Sequence, residues 1–371
     1  MRWLARVLLA VAATAGSIAL VEAGWSFAQS AEVQLFDENF DRRYYLVGAD
    51  SGSAFQNIGQ FFVFQPDSKI RAAVYYDTRL GWVKEFEHEF QTNNFGLVQR
   101  QDIHAGRPSV LVLGDSFTEG VGAEPWFEQL APSLLERDYQ PVNGGLAGTG
   151  FRQWLLLHDH LRARNILIQK LVVVMISDDY GRVIRNFSTG MLRCLANYLD
   201  CAGGGDQDAF GMPPESQRQA FLERMRSRRV ALNSMASVWR RLPATSRAYS
   251  QGLHLADVTR DWLVDRLRQQ PGPANLMGDD LDASAITHFA DLYGDNVIFV
   301  HLPSRYELRN GPDRAGRATI AAIRATGAKY FDGFTRCGLT AADYHVYDGH
   351  PNAAGYAKIT ACVREAAKQI L

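Results

Sequence analysis

Apolar and polar positions change rhythm three times along the chain. At the N-terminus Arg2 and Arg6 precede an uncharged, largely apolar run from Val7 to Val21, followed by Glu22 and a stretch ending Ser26-Phe-Ala28. This is a secretory signal pattern with small residues set for cleavage after Ala28, so residues 1–28 are expected to be a signal peptide or, uncleaved, a signal anchor. The run is shorter than the roughly 20 residues of a comfortable membrane span, although Leu, Ala and Trp near both ends extend it. From Glu32 to Gln101, short apolar runs containing Phe36, Phe40, Tyr44, Tyr45, Phe61, Phe62, Phe64, Tyr75, Tyr76, Trp82, Phe86 and Phe90 alternate with Gly, Asp and Asn. That rhythm predicts short strands and turns packed against a larger domain.

After Arg107-Pro108 the pattern becomes one of apolar strands and amphipathic helices. Ser109 to Leu113 predicts a buried strand, and Trp126, Leu130 and Leu134 give helical spacing over 125–137. A strand ending at Val142-Asn143, a helix over 151–164 and a strand over 171–176 follow. A helix over 284–293, a strand over 297–301, a helix over 314–325 with Gly327 as its C-cap, and a last helix over 353–370 complete the series. Such alternation implies an α/β fold, a three-layer α/β/α sandwich around a mostly parallel sheet that binds ligands at the carboxyl ends of its strands. The expected organisation is an N-terminal extension, 29–107, packed on a main domain, 108–371. Within the latter, about 180–295 is too long for a simple crossover and reads as a helical insertion, with Gly203-Gly-Gly205, Pro213-Pro214 and Pro271-Gly-Pro273 as its breaks.

Charge and cysteine content narrow the picture. With 371 residues, 47% apolar and a net charge of -1, the chain buries a large core and carries no field for holding nucleic acid. Four cysteines in an exported chain point to disulfides. Pairing neighbours, Cys194 with Cys201 and Cys337 with Cys362, closes the shortest loops, with other connectivities open. No zinc-type cysteine or histidine spacing occurs, so no metal is expected. His158 and His160 stand two apart on a predicted helix and read as core or surface residues.

The chemistry concentrates in two places. Ser116 follows the first strong strand in Gly114-Asp-Ser-Phe-Thr-Glu-Gly120, which sets its hydroxyl near a helix N-terminus whose N–H groups are free to face an anion. A serine hydroxyl needs a neighbouring base, and Tyr347-Asp-Gly-His-Pro-Asn352 offers His350, with Asp348 to orient its ring. Taken singly, each segment also reads as an ordinary cap and turn.

Together these blocks resemble the SGNH (GDSL-like) hydrolase family. Gly-Asp-Ser-Phe-Thr-Glu-Gly resembles its first block, in which the serine is the nucleophile and its N–H helps form the oxyanion hole. Val142-Asn-Gly-Gly-Leu-Ala-Gly-Thr-Gly150 looks like the second and aligns Gly148 with the family's oxyanion-hole glycine. Asp-Gly-His-Pro-Asn looks like the last, and Thr92-Asn-Asn-Phe-Gly96 like a lead-in of exported members. The resemblance covers about Val110 to Leu371 apart from the insertion, and implies the flavodoxin-like SGNH fold with Ser116, Asp348 and His350 as triad. Two departures stand out. Ile176-Ser-Asp-Asp179 puts Asp178 where the family has an oxyanion-hole asparagine, and an ionised carboxylate accepts hydrogen bonds only. The Asp-x-His spacing is similar to that of SGNH-like acetyltransferases of exopolysaccharide assembly.

The expected function is therefore serine-dependent ester hydrolysis or O-acyl transfer, without a cofactor, on an acyl (acetyl) ester of a carbohydrate or cell-envelope substrate. The expected place is the periplasm, either free or held to the inner membrane by the N-terminal segment. The alternative is a catalytically silent carbohydrate-binding or polysaccharide-assembly protein on the same scaffold. A flavodoxin-like phosphate binder is disfavoured, because the first turn lacks a glycine-rich cradle. The basic run of Arg224, Arg226, Arg228, Arg229, Arg240 and Arg241 reads first as a solvated helix face, with membrane headgroups or an anionic glycan as the alternative contact, and the early aromatics read as core before sugar-stacking residues.

Overall fold

The computed structural model describes residues 43–50, 52–78, 81–201, 209–235 and 276–371. The signal pattern, Gly203-Gly-Gly205, Arg240, Arg241, the Pro271-Gly-Pro273 linker and the side chains of Arg228 and Arg229 lie outside the described residues. The chain divides into two compact units, one of residues 41–202, 206–221 and 276–371, the other of 1–40, 203–205 and 222–275. In the second unit the described residues are those of helix Glu215–Met235 from Leu222 onward, where Arg224 is exposed and Arg226 faces Glu223 at 3.7 Å.

In the first unit the aromatic-rich stretch forms β1 (Arg43–Ala49), β2 (Phe55–Ile58), β3 (Phe61–Phe64), β4 (Lys69–Thr78) and β5 (Gly81–Gln91). Then come β6 (Pro108–Gly114), β7 (Gln140–Gly145), β8 (Leu167–Met175), β9 (Ala209–Gly211), β10 (Val297–His301) and β11 (Lys329–Asp332). A five-stranded, wholly parallel sheet runs β11-β10-β8-β6-β7. Four of its strands match the apolar runs of the sequence. The fifth, β11, escaped the pattern because Lys329-Tyr-Phe-Asp332 is an edge strand with a charge at each end and one fully buried side chain.

Period two sorts the sheet's side chains onto opposite faces. Leu111, Leu113, Leu171, Val173 and Phe299 join a core with Trp154 of helix Phe151–Ala163, Phe289 of helix Leu276–Tyr293 and Ile323 of helix Arg314–Thr326. Val110, Val112, Val172, Val174 and Val300 join another with Leu130 and Leu134 of helix Phe127–Leu135 and Ile359 and Val363 of helix Ala353–Ala367. The result is the three-layer α/β/α sandwich expected. Gly327 ends its helix in the left-handed conformation, and its N–H donates to the Arg324 carbonyl.

A second sheet runs β5-β4-β1-β9. Its first three strands are antiparallel, and β9, which lies between β8 and β10 in sequence, adds in parallel to β1. Phe61, Phe62, Phe64 and Phe90 bury with Val47 and Ile70 in the same core as Leu111 and Trp154, so these phenylalanines are packing residues, while Phe36 and Phe40 lie outside the described residues. His158 is core as well, its Nε2 2.7 Å from the Tyr293 hydroxyl. Cys194–Cys201 and Cys337–Cys362 are disulfide-bonded, the shortest-loop connectivity. Among the described residues no helix is long and apolar enough to cross a membrane.

Candidate active site

Strand β6 ends at Gly114, and the chain turns at once into the short helix Ser116–Glu119. The turn is tight enough to require glycine: a Cβ on Gly114 would lie 1.9 Å from Thr118 Oγ1 and 2.5 Å from the Val174 carbonyl oxygen. Asp115 caps the helix by accepting the Phe117 N–H (2.9 Å). These constraints lift Ser116 to the carboxyl end of the sheet, 8% exposed. No hydrogen bond within the described residues takes the N–H of Ser116 or of Gly148.

Although 234 residues separate them in sequence, His350 and Ser116 meet, with Nε2 2.8 Å from Oγ. The other ring nitrogen, Nδ1, is in close contact with Asp348 Oδ1. A carboxylate facing Nδ1 favours the tautomer protonated there, which leaves the Nε2 lone pair for the serine proton. The loop carrying the pair is held at both ends, by an antiparallel bridge between Tyr344 and Pro351 and by Asn352, whose side chain caps the last helix. Arg305 donates to the carbonyl of His345 (3.1 Å).

The far side of Asp348 reaches β1 and β4. Tyr76 donates its hydroxyl to Oδ2 (3.0 Å), and Arg43 Nε lies 2.9 Å from the same oxygen, off the line of a hydrogen bond and therefore an ion pair. Burial pushes the Asp348 carboxyl up, but His350, then Arg43 and Tyr76, outweigh it and hold it well below the usual carboxylate range. Sequence reasoning missed Arg43 and Tyr76. Each is a single residue in a stretch read as packing, and no motif marks either.

No family model and no curated protein matches the chain. Among solved structures, a protein from Lactobacillus plantarum aligns at 12% identity over 72% of this chain and 100% of its own, TM-score 0.35. An alpha/beta hydrolase enzyme from the metagenome of Lake Arreo, Spain, aligns at 14% over 72% and 98%, TM-score 0.33. A protein from Desulfitobacterium hafniense described as lipolytic and of the G-D-S-L family aligns at 12% over 71% and 99%, TM-score 0.31. Alignments this distant decide nothing about chemistry, which rests on the site itself.

The loop after β7 carries Gly148 in the left-handed region, φ +74°, with the Arg185 guanidinium against it: a Cβ there would lie 2.9 Å from Nη1. This loop is tied to the Ser116 turn twice. Glu119 Oε2 accepts the Ala147 N–H (2.7 Å), and Arg182 donates both to the Thr149 carbonyl and to Asp115, each at 3.0 Å. Asp178, placed at the oxyanion hole by the family resemblance, is exposed. The buried carboxyl is its neighbour Asp179, which pairs with Arg182 (2.7 Å) and accepts the Ile176 N–H. Burial and then the charge of Asp115 push the Asp179 carboxyl well up, against the opposing pull of Arg182 and the Ile176 N–H. Ser177, the other side chain of that segment, is turned to His301 and Glu307.

Two further groups border the site, Glu119 buried and His88 half-buried. Burial and then the Asp115 charge, opposed by the Ala147 N–H, push the Glu119 carboxyl up to about 8. On β5, burial and then repulsion by His345 and His350 push the His88 imidazole down to about 4, so its ring is neutral.

Proposed function

We propose that the protein is a serine-dependent ester hydrolase or O-acyltransferase in which Ser116 is the nucleophile, His350 the general base and acid, and Asp348 the residue that orients the ring. The observation that carries this reading is the unbroken chain from Ser116 Oγ through His350 Nε2 (2.8 Å) and Nδ1 to a buried carboxylate. As Ser116 Oγ bonds to the ester carbonyl carbon, its proton passes to Nε2, and the carbonyl oxygen takes the negative charge. The N–H groups of Ser116 and Gly148 receive that oxyanion. Collapse breaks the bond to the alkoxide, which leaves with the proton from His350, and an acyl-serine remains. Water or a sugar hydroxyl then attacks by the same route in reverse. No step calls on a cofactor.

The resemblance of the Asp-x-His spacing to acetyltransferases of exopolysaccharide assembly favours an acetylated carbohydrate of the cell envelope as substrate. Two disulfides suit a periplasmic site of action, whether the N-terminal segment is cleaved or anchors the chain. The exposed Asp178 favours the second reading, a silent binding protein, since loss of one oxyanion donor costs about 2.7 to 4 kcal/mol of transition-state stabilisation. A fluorophosphonate decides between them. The proposed enzyme is labelled on Ser116, and Ser116→Ala and His350→Ala abolish labelling. A folded wild-type protein that takes no label overturns the enzyme.

A further inference from the structure

On the reading that Ser116, His350 and Asp348 react together, we propose that Arg43 and Tyr76 are positioning residues of the active centre. They lock the Asp348 carboxylate in the rotation that presents Oδ1 to His350, and so make the N-terminal sheet part of the catalytic apparatus.

Arg43 and Tyr76 are directly opposed partners in the β1–β4 register. Opposed residues of an antiparallel pair place their Cβ atoms about 5 Å apart on one face, so the two side chains act as one fork. Both prongs close on the same oxygen, Oδ2, of a side chain that is 1% exposed. A buried carboxylate without partners is costly, and one free to turn would offer either oxygen to the imidazole. Filling Oδ2 from β1 and β4 leaves Oδ1 for Nδ1.

The third strand of the sheet steadies the same loop. Glu85 of β5 accepts the N–H of Tyr347 (3.0 Å), the Tyr347 ring packs on Tyr76 at 5.6 Å, and Phe86 packs on His345 at 4.9 Å. Of the charged and titratable groups around the pair, Glu85 and Asp115 are acids, and Glu119 is a buried acid held up to about 8 and sensitive to Arg43. Tyr45 is a phenol that burial pushes up beyond its usual range, His88 is neutral, His345 is bonded to the Gly122 carbonyl, and Arg43 is the fixed cation on Asp348. A cation there opposes the imidazolium that forms during catalysis as well as steadying the carboxylate. Its removal therefore has a signature that loss of packing alone does not.

The test uses the full chain, 4-nitrophenyl acetate hydrolysis and fluorophosphonate labelling between about pH 5 and 9. Arg43→Gln is expected to lower kcat about tenfold with little change in KM, and to move the acid limb of the profile up by about half a unit or more. Arg43→Lys restores the limb. Tyr76→Phe keeps the ring on Tyr347, removes only the donor, and lowers kcat about threefold. NMR of 13C-labelled histidine in the same proteins reports, without turnover, the pH at which the His350 ring gains its second proton. A wild type labelled at Ser116 alongside unchanged variants overturns the clamp and leaves the enzyme standing. An unmoved midpoint in Arg43→Gln overturns the clamp even in a protein that takes no label. A moved midpoint in an unlabelled protein overturns the catalytic reading alone.

Discussion

Glu119 is a buried acid that the fold keeps protonated into the neutral range. An ordinary glutamate ionises near 4.5, whereas here burial and Asp115 hold the carboxyl to about 8. A group raised in this way stabilises the fold fully below about pH 4.5, and that contribution is lost as pH rises through about 8. Glu119→Gln keeps an acceptor for the Ala147 N–H and removes the titration. Thermal melts should show the wild type losing stability relative to the variant between about pH 5 and 8, by about 3 to 4 kcal/mol. Parallel curves would count against the assignment. His88 and His301, each pushed down to about 4 by burial, act on the other side. Their contributions are complete above about 6.5 and lost as pH falls through about 4. At this scale the sequence was readable where chemistry sits in contiguous blocks, as at Ser116, Asp348 and His350. Arg43 and Tyr76 meet on Asp348 only because strand register sets them opposite one another, and no local pattern encodes that.

Among the elements, the Cys337–Cys362 bridge has the most direct bearing on the site. It ties the turn after β11 to the last helix, with sequence separation 25, and the loop it closes contains Asp348 and His350. Closure of that length is worth about 3 kcal/mol. Replacing both cysteines by serine should lower the melting temperature and slow fluorophosphonate labelling together. Cys194–Cys201, with separation 7, should cost less stability when removed. Labelling that survives unchanged in a markedly destabilised Cys337/Cys362 variant would show that the last helix holds the loop unaided. Periodicity made most of these elements readable, because a strand buried on both sides, such as β8, leaves an uninterrupted apolar run. Strand β9 is three residues long and takes its identity from pairing with β1, a contact that no window of sequence contains.

For the whole described unit, the decisive relation is that two sheets share one core. Val47, Phe64 and Ile70 from the N-terminal sheet bury with Leu111 and Leu171 from the parallel one. A chain shortened to residues 92–371 should therefore expose that apolar face, bind the dye ANS and lose its cooperative melt. A cooperative transition with no dye binding would show that the parallel sheet stands alone. The order in which the parts are made has a consequence in time. Tyr76 precedes Asp348 by 272 residues and Ser116 precedes His350 by 234. A ribosome that has finished most of the chain has thus produced only an ordinary serine. On the proposed mechanism reactivity switches on when the final helix docks, so in refolding it should return after secondary structure and serve as a clock for the last long-range contact.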